Sequence, residues 1–275
     1  MGTRDRDARH LKDVDISAAH QLDRIQAKLA RADEHLAMLN EAIEGFHERD
    51  PYRPFADTDP TTGENLVRVE IKENPPVLEW GVLIGDVLHN LRSSLDHLAY
   101  ILGGDPPPNE GGSEFPIFWS RTYYRKKGAP KIVGACDHAQ AVIEDLQPYH
   151  RGDEARAKRH PLWFLHELYN VDKHRLVHVV TSAIDTVEYG VDDFTGDADA
   201  LRAFDLTSFS DDRAVIARWP RTGPQPEPEM PFKFDFEIAF DENGPGRGNP
   251  VKRSLPWVRN AVRDRVLARL APFLS

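Results

Sequence analysis

Apolar side chains recur along the N-terminal part of the chain at alternating spacings of three and four. Leu22, Ile25, Leu29, Ala32, Leu36, Leu39, Ile43 and Phe46 hold that spacing without a slip, which is the seam of a heptad helix. The pattern predicts a helix over 17–49, with Ser17 or Asp15 as N-cap and Asp50 before Pro51 as its stop. A seam this narrow buries itself against one or two helices, from the same chain as a hairpin or from a second copy as a dimer. Residues 51–76 are rich in turn formers, with one strand expected at 66–71 (LVRVEI). A second helix is expected over 77–102, where Ile84, Leu88, Leu91, Leu95, Leu98 and Leu102 make a continuous apolar face. The stretch GGDPPPNEGG at 103–112 ends it in a loop.

A basic, aromatic stretch, FWSRTYYRKKGAPK at 118–131, is followed by a helix to residue 146, and Pro161 opens another helix over 161–175. After Arg175 the period changes and β-branched residues become frequent. Residues 176–190 (LVHVVTSAIDTVEYG) read as a strand, with more near 201–208, 213–219 and 232–240 and a Pro-rich loop at 220–231. Ser254 reads as the cap of a last helix running to about residue 274. The expected fold is a single α+β domain over 1–275. It has a helical core at 77–175 behind the long N-terminal helix. A small, mostly antiparallel sheet at 176–240 and a basic C-terminal helix at 254–274 complete it.

Charge and composition narrow the function classes. No apolar run reaches the ~20 residues that span a bilayer, and MGTRDRDARHLKDVD is too charged for a secretory leader. A single cysteine, Cys136, permits no internal disulfide, so a reducing cytoplasm is expected. A net charge of -10 argues against coating nucleic acid by bulk charge but leaves room for a local basic site. Arg121, Arg125, Lys126, Lys127 and Lys131, with Tyr123 and Tyr124 among them, form one acid-free patch. Lys252, Arg253, Arg259, Arg263, Arg265 and Arg269, around Asp264, form another. Such stretches hold phosphates while aromatics stack on bases, or they are solvated faces docked on acidic neighbours. Arg121, Arg125, Lys126, Lys127, Arg259 and Arg263 are the expected RNA contacts.

The 77–102 helix carries Asp86, His89, Asn90, Arg92, Ser93, Asp96, His97 and Tyr100 on its polar side. Asp86, Asn90, Ser93 and His97 share one stripe, and Arg92 lies about 140° round the helix from His97. The 161–175 helix carries His166, Asn170 and His174 as a second stripe, with Asp172, Lys173 and Arg175 at its end. If the stripes face each other, Asn90, His97 and His174 share one pocket between packed helices; alternatively they tie the helices together without chemistry. Asp86, His89, Asp96, His97, His166, Glu167, Asp172 and His174 include enough N and O donors for Zn or Fe/Mn. No ligand spacing is met, because Asn170 stands where an H-E-x-x-H pattern needs its second His. No metal and no cofactor is expected. Phosphate-loop, dinucleotide and nucleophile-elbow motifs are absent from the sequence. Cys136 and His138, two apart, do not face each other on a helix.

The run Arg92-Ser-Ser-Leu-Asp-His97 resembles the Arg-x4–6-His motif of the HEPN ribonucleases of bacterial toxin and phage-defence systems. The resemblance implies a helical dimer whose two motif helices share a metal-free, RNA-cleaving cleft. It implies that His97 is general base or acid at the RNA 2′-hydroxyl, Arg92 stabilises the phosphorane and Asn90 is the polar residue beside them. Asp96, His89, His166, Asn170, Asp172, His174 and Arg175 would support that site. The chemistry suits the residues: histidine titrates near ~6.5 and moves protons at neutral pH, and arginine offers a permanently charged fork to phosphate. HNLRSSLDHLAY and PLWFLHELYNVDKHR also resemble two blocks of a group of uncharacterised bacterial proteins. The first expectation is a metal-independent endoribonuclease of phage defence or stress, a homodimer with RNA as partner. A non-catalytic binding or regulatory module, and a metal-dependent hydrolase using the His/Asp cluster, are the other readings.

Overall fold

The computed structural model describes residues 18–104, 114–188, 213–219, 233–241 and 246–274. Helix α1 (Ala18–Glu48) lays its seam on α2 (Val77–Gly103). Ile25, Leu29, Ala32, Leu39, Ile43 and Phe46 are buried, and Leu22 and Leu36 pack against the same core. Phe46 meets Trp80 edge-on at 5.3 Å between ring centroids. The seam is therefore filled by the chain itself, as a helical hairpin. Asp50, at φ 50°, turns the chain out of α1.

Between the two helices runs a hairpin of β1 (Tyr52–Thr58) and β2 (Asn65–Ile71). The sequence pattern shows only the second strand, because Pro54 interrupts the first. Proline is tolerated there because β1 is the edge of a sheet ordered β1-β2-β4. The remaining elements are α3 (121–132), α4 (Asp137–Asp145), α5 (Glu154–Lys158) and α6 (Pro161–His174), then β3 (Val179–Glu188), β4 (Arg213–Trp219), β5 (Lys233–Phe240) and α7 (251–273). Strands β3 and β5 pair antiparallel as a second sheet, and β4 crosses back to β2. The fold is α+β with a helical core, but its strands are not confined to the C-terminal half. The expected strand at 201–208 and loop at 220–231 lie outside the described residues.

Helix α7 corrects a second boundary. It starts at Val251 behind Pro250, so Ser254 is an interior residue, 8% exposed. A serine two residues before Pro256 imitates a helix start, yet Pro256 sits inside the helix.

Helix α2 is the centre of the molecule. Beyond its expected apolar face it also buries Trp80, Gly81, Gly85, Val87, Asn90, Arg92 and Ala99, because α1, α3, α6, β3 and α7 all touch it. A Cβ at Gly85 would collide with the Asp172 carboxylate of α6, so glycine there sets how closely the two motif helices approach.

Candidate functional site

No strand among the described residues pairs with the segment 114–119, so side chains satisfy its backbone. Asp96 Oδ1 accepts from the Phe115 N–H at 2.9 Å, and Arg92 Nη2 donates to the Phe115 carbonyl at 2.9 Å. Further along the segment, Gln147 accepts from the Phe118 N–H at 3.0 Å and donates to the Pro116 carbonyl at 2.8 Å. With Phe115 and Ile117 sunk into the core, the segment is fixed as the roof of a cavity of about 290 Å³.

Arg92 from α2, Trp163 and His166 from α6, and Tyr123, Lys127 and Lys131 from α3 line that cavity together with the roof. Arg92 is 2% exposed. Its Nε and Nη2 grip Asp96 at 3.2 and 2.9 Å. Nη2 also lies 3.5 Å from Glu114, whose other oxygen accepts a short hydrogen bond from Lys131. Nη1 of Arg92 is buried with no hydrogen-bond partner among the described residues, and so is Nε1 of Trp163. Buried donors are nearly always paired, so two orphans among the lining residues of one cavity mark it out. Helix α3 carries a π-turn at 124–128 after its first α-turn, and Gly128 permits its close packing, since a Cβ there would press on the Phe118 ring.

The electrostatics follow from this enclosure. Burial raises the Asp96 carboxyl above its ordinary value, against the pull of Arg92 and the Phe115 N–H. Burial would also raise Glu114, but the Lys131 hydrogen bond and the charges of Arg92 and Lys131 carry it below the usual range. Burial, helped by Arg92, pushes His166 down to about 4, so the imidazole is neutral at pH 7. Its Nε2 lies 3.1 Å from Asn170 Nδ2.

The other expected site residues are dispersed. His97 is exposed and lines a different recess with Arg24, Asp96, Tyr100 and Ile101. Partial burial and the charges of Lys28 and Arg24 lower its pKa. Asn90 donates to the Asp86 carbonyl of its own helix at 2.8 Å. His174 is exposed at the end of α6, where Arg175 is the C-cap. The helices α2 and α6 do pack directly, but no hydrogen bond, ion pair or ring contact among the described residues joins Asn90, His97 and His174. The shared pocket expected for those three is not formed, because α2 turns His97 toward α1 and Arg92 toward α6. His89 is exposed, its ring 6.2 Å from Tyr169. Burial and the neighbouring Asp86 raise the Asp172 carboxyl. Among the described residues no three His, Cys, Asp or Glu side chains gather as a metal site.

The two basic patches differ. On α7, Arg259 forks onto Asp33 at 2.7 and 2.5 Å, Lys252 meets Glu44, Arg269 meets Asp145 and Arg263 meets Asp264. That patch is largely neutralised within the fold, which removes the reason to place RNA on Arg259 and Arg263. On α3, Arg121 covers the Tyr149 ring at 5.4 Å, while Arg125, Lys126 and Lys127 are exposed and have no ion pair among the described residues.

Sequence reasoning missed Glu114, Gln147 and Trp163. Only the Arg92–Asp96 spacing of four, an ion-pair spacing on a helix, signalled that Arg92 is committed inward. No family model, curated protein or solved structure matches the chain. No helix among the described residues is long and apolar enough to cross a membrane.

Proposed function

We propose that the protein is a binding module whose cavity beneath the 114–119 segment takes a small ligand bearing an anionic group. The observation that carries this reading is the buried Arg92 guanidinium, which lines that cavity and whose Nη1 has no hydrogen-bond partner among the described residues. A buried charged donor without a partner is costly, and an anion supplies the missing acceptor as a charge-assisted hydrogen bond. Lys127 and Lys131 add positive charge to the same walls.

RNA cleavage by Arg92 and His97 is the second reading, and it rests on the motif resemblance. It requires Arg92 to leave Asp96 and the Phe115 carbonyl, and it requires two side chains now in separate recesses to meet at one phosphate.

The test is calorimetric titration of the full chain at pH 7 with sodium phosphate, acetate and benzoate. An RNA-pool cleavage assay of wild type and His97→Ala, with and without EDTA, runs alongside. Saturable one-to-one binding of a small anion, weakened in Lys127→Ala, with no RNA cut, is the expected result. No binding, together with EDTA-resistant cleavage lost in His97→Ala, would overturn the binding reading in favour of the ribonuclease.

A further inference from the structure

We infer that the ligand class of this cavity is a small aromatic carboxylate, a monoanion on a flat ring. The inference rests on the binding reading above and adds charge, donor and shape constraints. Charge comes first. Arg92 is balanced by Asp96 and Lys131 by Glu114, which leaves Lys127 as the one lining cation without an ion pair among the described residues. The cavity therefore has room for one negative charge. A phosphate dianion would sit against Glu114 with its second charge uncompensated.

The unpaired donors agree. Arg92 cannot present its fork, because Nε and Nη2 already serve Asp96 and Phe115. It offers Nη1 alone, and Trp163 Nε1 is the second orphan among the lining residues. Two single donors from two helices match the two oxygens of one carboxylate better than the three of a phosphoryl group.

Shape is the third constraint. Phe115, Phe118, Trp119, Tyr123 and Trp163 line the cavity beside Pro116 and Ile117, and aromatic faces favour offset or edge contact with another ring. At about 290 Å³ the cavity lies at the small end for organic ligands, which suits a single or fused bicyclic ring. Tyr123, Lys127 and Glu114 are exposed, whereas Arg92, Phe115 and Trp163 are buried. A ligand would thus enter past the exposed residues toward the buried side chains that carry the orphan donors.

The experiment is titration of the full chain at pH 7 with benzoate, phenylacetate and indole-3-acetate. The comparators are cyclohexanecarboxylate, benzamide, phenyl phosphate and inorganic phosphate. At least one aromatic carboxylate should bind one-to-one, about tenfold or more tightly than each comparator. Trp163→Phe keeps a ring but deletes the donor, and should weaken that binding about tenfold at unchanged thermal stability. Exposed Lys127→Ala should weaken it as well. Phenyl phosphate or cyclohexanecarboxylate binding as tightly as the best aromatic carboxylate would overturn the ligand class and leave the anion reading standing. Full affinity in Trp163→Phe would likewise remove the donor assignment. Silence from the whole panel would overturn both.

Discussion

Arg92 and His97 stand five residues apart on α2 and live in opposite physical regimes. Arg92 is buried, holds Asp96 and pins the Phe115 carbonyl, whereas His97 is exposed beside Lys28 and Arg24 of α1. Asp96 is partly exposed and keeps the Phe115 N–H, so Arg92→Ala, which strands the Phe115 carbonyl, should cost about 1–3 kcal/mol. His97→Ala, at the surface, should stay within about 0.5 kcal/mol. Urea unfolding of the two variants checks this, and equal losses would contradict the placement. A second residue-scale prediction concerns acid. His160 caps α6 by accepting the Leu162 N–H on Nδ1 at 3.2 Å, which only a neutral ring can do. Burial depresses both His160 and His166 from 6.5 to about 4. In the unfolded chain they take up protons near 6.5, before the folded chain does. Their contribution to stability is therefore whole above that pH and is lost as pH falls toward about 4. The urea midpoint should drop across this window. His166→Gln and His160→Asn, which keeps a capping side chain, should each flatten the drop. A level profile in wild type would refute it. The types and spacing of the polar residues on α2 were legible in the sequence. Their direction was not, because burial of α2 on nearly every side is set by elements far away in the chain.

At the scale of elements, local pattern was decisive for α1, α2 and α6, whose ends lie within a residue or two of the positions expected. It failed where the partner is non-local. Strand β1 exists because β2 pairs with it across the hairpin, and the 114–119 segment is fixed by Asp96 and Gln147 rather than by any period of its own. The α1 seam was legible as a seam, but the surface filling it, α2, was one of two open choices. Ile43, fully buried in that seam, should cost about 2–5 kcal/mol when cut to alanine. A seam closed within one chain should also give a melting temperature independent of protein concentration across a hundredfold range. A melting temperature that climbs with concentration would show that a second copy is needed. At the other wall, Gly128→Ala should press on Phe118 and cost about 1–3 kcal/mol by overpacking, read by the same unfolding assay. An unchanged midpoint would mean that α3 can retreat from the roof.

For the whole molecule, the balance of charge decides more than its total. The acidic chain neutralises the basic face of α7 with Asp33, Glu44 and Asp145, residues far away in sequence, so counting cations along α7 overstated its freedom. Arg125, Lys126 and Lys127 of α3 keep theirs, and beside them lies a cavity two of whose lining residues carry buried donors without acceptors among the described residues. That cavity was illegible in the sequence because its walls come from α2, the 114–119 segment, α3 and α6, and no spacing rule links Arg92 to Glu114 or Trp163. The most direct measurement is a crystal structure of the protein saturated with 4-bromobenzoate, using the anomalous signal of bromine to place the ring. The account predicts a bromine peak inside the cavity and a carboxylate oxygen within hydrogen-bond distance of Arg92 Nη1. A cavity without ligand, with Nη1 bonded instead to a group of the protein itself, would contradict it.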